Sequence, residues 1–162
     1  MATSSIFMIR EIRPDEFHVL DDFLYNAIFV PDGEIPPDRS VIEKPELRVY
    51  TENFGSNESD KCLVAEVDGE VVGAVWCRIM NDYGHVYDDA PSFAISVKKN
   101  YRKQGIGTAL MEEMIESLKR SGYKRASLSV QKANYAVKMY INLGFEIFSE
   151  NDDDTIMLIN LT

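Results

Sequence analysis

Apolar and polar positions along the chain switch period several times, and each switch marks an element. From Phe7 to Arg13 they alternate, with Phe7, Ile9 and Glu11 on one side and Met8, Arg10 and Ile12 on the other, which predicts a strand. Pro14 follows at a first helical turn with Asp15 and Glu16 behind it, and Phe17, Leu20, Phe23, Leu24, Ala27 and Ile28 form a helical stripe. Pro31 to Asp60 is irregular: Pro31-Asp32-Gly33 and Pro36-Pro37-Asp38 read as turns, Arg39–Glu43 and 45–53 as short helices, and 54–59 as a polar loop. Asp68-Gly69 between the apolar runs Lys61–Val67 and 70–80 predicts a hairpin. A polar connection, 81–89, leads to a buried strand over Ser92–Val97 and a helix from Gly105 that closes at Gly122. A strand over 125–130, a helix over 134–143 closed by Gly144, and a hairpin of 145–149 with 155–161 complete the chain. The order is β-α-(α)-β-β-β-α-β-α-β-β. The strand–helix–strand unit from Ser92 to Val130 predicts a right-handed parallel crossover, and the short connections elsewhere predict antiparallel neighbours. The fold class is therefore α/β in the α+β sense: a mixed, mostly antiparallel sheet with helices on both faces.

At 162 residues, positions 1–162 are expected to form one domain with a core of its own. No stretch approaches the roughly 18 apolar residues of a membrane span. Met1-Ala-Thr-Ser-Ser lacks the basic start and apolar run of a secretory leader. Cys62 and Cys77 sit in strand-like runs without metal spacing, which suits buried reduced thiols. The expectation is a cytoplasmic protein with no membrane partner and no metal.

The net charge of −10 is unevenly spread. Ten of the 17 Lys and Arg residues, but only three of the 27 acids, fall between Lys98 and Lys138. Such a local positive field on an acidic protein argues against a general nucleic-acid binder and is compatible with a cationic, amine-bearing substrate. Lys98, Lys99, Arg102 and Lys103 lie where the central strand feeds a glycine-bearing helix start. The first N–H groups of a helix have no internal partner, and glycine lets an anion approach them, so this junction suits a phosphate or pyrophosphate. The Gly-x-x-x-x-Gly-Lys-Ser/Thr loop is absent, and Leu110 stands where a dinucleotide fingerprint would need glycine.

Arg102-x-x-Gly105-x-Gly107 resembles the acyl-coenzyme A pyrophosphate loop of the GCN5-related N-acetyltransferases, the GNAT superfamily. Downstream, Asn134, Ala136, Tyr140 and Gly144-Phe145 resemble that family's second signature. The two motifs span residues 91–145. The resemblance implies the family's fold, with a splayed parallel strand pair, and transfer of an acetyl group from acetyl-CoA to an amine of a small molecule or peptide by direct attack in a ternary complex. It implies that the backbone of Gln104, Gly105, Ile106, Gly107 and Thr108 grips the pyrophosphate, with charge from Arg102 and Lys103. Ile95, Ser96 and Val97 match the positions that bind the pantetheine arm, and an N–H near Val97 would polarise the thioester carbonyl. Asn134 matches an asparagine that bonds the cofactor, and it also suits a helix N-cap. Tyr140 matches the tyrosine that protonates the leaving thiolate, and it also suits a core aromatic. Phe29, Tyr50 and Phe54 are expected near the substrate mouth. Many family members dimerise, so a homodimer is an expectation without a signal in the letters.

The general base is left open. Val130-Gln131-Lys132 stands where some members carry a glutamate, and the candidates are Glu66, Asp82, His85, Asp88, Asp89 or a water relay to one of these carboxylates. The acceptor and the acyl-chain preference are open as well. The competing classes are a non-catalytic acyl-CoA-binding or sensing module on the same fold, and a nucleotide-binding regulatory domain. The latter leaves the Asn134–Tyr140–Gly144 pattern unexplained.

Overall fold

The computed structural model describes residues 6–162. Seven strands form one sheet in the order β1-β2-β3-β4-β5-β7-β6. They are β1 (Met8–Glu11), β2 (Lys61–Val67), β3 (Glu70–Arg78), β4 (Ser92–Val97), β5 (Arg125–Gln131), β6 (Glu146–Glu150) and β7 (Asp154–Asn160). All neighbours pair antiparallel except β4 and β5, which run parallel. The helices are α1 (Val19–Ala27), α2 (Pro45–Arg48), α3 (Ile106–Arg120) and α4 (Ala136–Leu143).

Alternation along the strands builds two cores. On one face Val75, Cys77, Phe93, Leu128 and Met157 pack with Leu110, Met114 and Leu118 of α3 and Tyr140 of α4. On the other, Val64, Ala74 and Trp76 pack with Leu20, Phe23 and Leu24 of α1 and with Ile42 and Tyr50. Cys62 and Cys77 are buried, unpaired and divided between these faces, and burial pushes both thiols up.

Several boundaries differ from the sequence reading for identifiable reasons. The stretch from Pro14 opens as a 3-10 turn, Pro14–Glu16, before α1 begins at Val19. Glu16 is drawn back to the Arg13 N–H (2.9 Å) and to Arg10 (2.8 Å), which tightens that turn. The helix after Pro45 stops at Arg48, and β3 ends at Arg78. Both stops serve one staple. The Arg78 guanidinium, buried at the strand end, donates to Asp60 (3.0 and 3.1 Å) and to the carbonyls of Val49 and Glu52. It also lies under the Phe54 ring, and Trp76 Nε1 donates to the Tyr50 carbonyl (3.0 Å). The irregular 49–60 segment is thus tied to the sheet by buried charge-assisted bonds.

Removing one partner of a buried pair strands the other charge, at a cost of about 3–5 kcal/mol. Asp60→Ala is expected to lower the urea midpoint accordingly, with the 49–60 segment losing amide protection first. A change under about 1 kcal/mol would mean the staple is solvated in solution.

Candidate active site

The parallel pair is joined at a single rung, Ser92 opposite Ser127, with the Ser127 N–H donating to the Pro91 carbonyl (2.9 Å). Beyond it the strands part, although β4 runs on to Val97 and β5 to Gln131. The registers fix which backbone groups line the gap. The Lys98 N–H bonds the Val72 carbonyl, so residues 92, 94, 96 and 98 spend their backbone groups on β3. The N–H and C=O of Ile95 and Val97 therefore face β5. By the same alternation, with the Leu161 N–H on the Lys124 carbonyl, Ser129 and Gln131 face β4. The result is a gap between the two strands, a slot in the sheet's hydrogen bonding lined by backbone donors and acceptors outside the ladder.

Ser96 sits differently from its two neighbours, because its backbone is committed to Ala74 on β3. What it brings to the site is a buried hydroxyl without a hydrogen-bond partner.

The basic loop packs against the α3-side end of this slot. Lys99–Tyr101 make one 3-10 turn, Lys103 and Gly105 take left-handed backbone (φ 62° and 84°), and α3 starts at Ile106. Gly105 is the N-cap and has no side chain to cap with. The first intrahelical bond runs from Ala109 N to Gly105 O, which leaves the N–H groups of Ile106, Gly107 and Thr108 pointing outward. No acidic residue lies in that first turn. Arg102 donates from Nε to the Val97 carbonyl (2.9 Å), which holds its guanidinium between the slot and the helix start. A Cβ on Gly107 would meet Val97 Cγ2, Ile95 Cδ1 and Met139 Sδ only at 3.9–4.0 Å. The fold itself tolerates a side chain there, and the glycine keeps the approach to the N–H groups clear. A groove of about 360 Å³ continues from Thr108 between α3 and α4, past Lys138 and Met139.

Asn134 Oδ1 accepts from the Ala136 N–H (2.9 Å), so its side chain caps α4. It stands two residues before Ala136, one fewer than in the family signature to which this stretch was likened. Tyr140 is buried at the α3 face, its ring edge-on to Phe145 (5.9 Å), which meets Phe93 of β4 (5.7 Å). Burial pushes its phenol well above the ordinary value, so the group stays an O–H donor throughout the neutral range. Of the residues expected at a substrate mouth, Phe54 packs on Phe17 and Arg78, Phe29 is half-buried after α1, and Tyr50 lies near Asp82.

Sequence reading missed what lies across the sheet from the loop. Ser92 Oγ donates to Asp82 Oδ1 (2.9 Å), and Ser127 Oγ donates to the Gly84 carbonyl (2.6 Å). These two serines, wholly buried among the apolar residues of β4 and β5, were the available signal. Beside them a cleft of about 190 Å³ is lined by Tyr83, Ser129, Ser149, Glu150, Asp154 and Ile156. Among the described residues there is no group of three or more His, Cys, Asp or Glu side chains that could hold a metal, and no helix long and apolar enough to cross a membrane.

Because the folded state resists ionising Tyr140 while the unfolded chain ionises near pH 10, stability should fall as pH rises past 10. Tyr140→Phe is expected to move alkaline unfolding, followed by circular dichroism, to higher pH. An unmoved transition would mean that the phenol is solvated.

Comparison with known proteins gives a consistent result. A family model described as the acetyltransferase (GNAT) family matches residues 23–145. An uncharacterized N-acetyltransferase of Archaeoglobus fulgidus is 28% identical over 137 residues, 80% of this chain and 88% of that one. The [ribosomal protein bS18]-alanine N-acetyltransferase of Escherichia coli K12 is 39% identical over 95 residues, 57% of this chain and 60% of that protein. Among solved structures, a GNAT-family acetyltransferase from Streptococcus pneumoniae superposes with a TM-score of 0.71 at 24% identity, covering 96% of this chain and 99% of that one. The PaiA N-acetyltransferase of Thermoplasma acidophilum in complex with coenzyme A gives 0.71 at 18%, with the same coverage. At these identities the structural likeness establishes the fold.

Proposed function

The chain belongs to the GNAT acetyltransferase family, and on that premise we propose that it moves the acetyl group of acetyl-CoA to an amine of a small molecule or peptide, by direct attack in a ternary complex. The observation that carries this reading is the slot beyond Ser92–Ser127, where β4 and β5 part, together with the outward N–H groups of Ile106, Gly107 and Thr108 at the start of α3.

Each part of the slot suits one demand of the reaction. A pyrophosphate needs unpaired N–H groups at the positive end of a helix, and Gly105, Gly107 and the neighbouring Arg102, Lys103 and Gln104 supply that site. The pantetheine arm carries amides, and Ile95 and Val97 offer it strand-like backbone partners; Ser96 and Asn134 flank the same path. The Val97 N–H suits the thioester oxygen, where negative charge develops in the transition state. The leaving sulfur needs a proton, and the Tyr140 phenol is kept protonated by its burial. A solved structure of the same fold is in complex with coenzyme A, which supports the choice of cofactor.

The reading is tested by thiol release from acetyl-CoA with a panel of amines that includes an alanyl peptide, prompted by the name of the E. coli relative. Tyr140→Phe is expected to lower kcat about a hundredfold with KM for acetyl-CoA within twofold of wild type. Unchanged kcat would remove Tyr140 from the chemistry. Acetyl-CoA binding with no thiol release from any amine would favour the non-catalytic acyl-CoA-binding module.

A further inference from the structure

Five side chains were open as the general base, and the fold separates them. Glu66 is held by Arg10 (3.2 Å) on the outer strands. Asp88 is fully exposed and takes His85 Nε2 (3.0 Å), which occupies both. Asp89 is bound by Arg125 (3.1 Å). Asp82 alone among them is tied to the rung where the slot opens.

We propose that Asp82 is the catalytic base that takes the acceptor's proton and that Ser92 is its positioning residue; the assignment rests on the acyltransferase reading above. Ser92 is fully buried, and its hydroxyl fixes Asp82 Oδ1 at 2.9 Å. Asp82 Oδ2 is buried and has no hydrogen-bond partner. A carboxylate oxygen removed from water with at most the Tyr50 phenol as a neighbouring donor is costly, so one maintained at the mouth of a slot calls for a use. The loop carrying it lies hard against β5. A Cβ on Gly84 would stand 3.0 Å from the Ser129 N–H nitrogen and 3.3 Å from Asp82 Oδ2, so a side chain there would fill the space between the carboxylate and the slot. Strand alternation puts the side chains of Ser92, Ser127 and Ser129 on the α1 face, opposite α3. Asp82 therefore meets the slot from the side away from the glycine loop, beside the cleft lined by Tyr83 and Ser129. Tyr50 faces it from the stapled segment, close enough for its phenol to donate to the Asp82 carboxylate, and burial, the Asp82 charge and that contact keep the phenol protonated. Tyr83 and His85 share its loop, and the charges of Glu46 on α2 and Asp154 on β7 reach Tyr83. An ammonium entering here meets Asp154 and Glu150, the latter paired with Lys132 (3.6 Å), and no lysine or arginine among the cleft's lining residues.

The proton balance closes. The ammonium gives one proton to Asp82 Oδ2 and attacks the thioester carbon with the freed electron pair. The C–N bond forms, the C–S bond breaks, and the sulfur leaves with a proton from Tyr140. The nitrogen's second proton restores Tyr140, and the first passes from Asp82 to solvent.

Asp82→Asn keeps the acceptor oxygen for Ser92 and removes the charge. With acetyl-CoA and the fastest of alanine amide, an alanyl hexapeptide and putrescine, kcat at pH 7 is expected to fall about a hundredfold while KM for acetyl-CoA holds. The deficit should shrink as pH rises towards the amine's own pKa, where solvent supplies the neutral form. Ser92→Ala should give a smaller loss of kcat with the same pH trend, and it serves as the test if Asp82→Asn does not fold. A kcat within twofold of wild type, or a deficit equal at every pH, would overturn the assignment. Wild-type protein that is thermally stabilised by acetyl-CoA yet releases no thiol with any of the three amines would overturn it too, leaving the cofactor reading in place. No stabilisation by acetyl-CoA would instead sink the acyltransferase reading itself.

Discussion

One missing stretch of hydrogen bonding organises this protein. Parallel strands inside a sheet ordinarily exchange every backbone group, because a buried N–H or C=O left unpaired costs free energy. Here β4 and β5 exchange bonds at one rung and then diverge. The divergence is held from both sides. Leu128 and Phe93 pack into the α3-face core, and Ser92 and Ser127 anchor the 81–90 loop at the point of parting. The N–H and C=O of Ile95 and Ser129 and the N–H groups of Val97 and Gln131 are left for an amide-bearing ligand that can complete the ladder, while the Val97 carbonyl takes Arg102 and the Gln131 carbonyl takes the Asn134 N–H.

The slot also assigns the two faces of the sheet different electrostatics. The glycine loop, with its outward N–H groups and the Arg102 guanidinium leaning on Val97, offers a site for anions on the α3 side. The cleft beside Tyr83, with Asp154 and Glu150, is acidic on the other. The concentration of Lys and Arg between Lys98 and Lys138, set against a net charge of −10, is the one-dimensional trace of this division. An anion and a cation are thus offered separate approaches from opposite sides of the sheet.

Much of this was legible in the letters because it is local. Asp68-Gly69 specified the hairpin through two left-handed residues (φ 50° and 82°), and Gly105 and Gly144 marked helix ends by the same conformation. The mixed sheet with its parallel pair followed from element order. The point at which β4 and β5 part was not legible, since it depends on pairing between residues 35 apart, and neither was the Arg78–Asp60 staple, whose partners lie in a strand end and a loop. Asp82 looked like one of several acids in a polar loop. Its distinction is a hydrogen bond to a serine on the next strand, and nothing in the spacing reports it. The hairpin strand read over 145–149 runs Glu146–Glu150 as β6, and all five of its residues are exposed, with Phe148 edge-on to Tyr87 (6.0 Å).

The account turns on whether the backbone groups facing the slot are what receives the cofactor. Amide hydrogen exchange with and without saturating acetyl-CoA, resolved by residue, asks this directly. Protection that appears at Ile95, Val97, Gly107 and Thr108, with Ser96 unchanged because its N–H is already bonded to β3, is the predicted result. Protection confined to the glycine loop, or spread evenly over β3 and β4, would contradict the slot as the binding path.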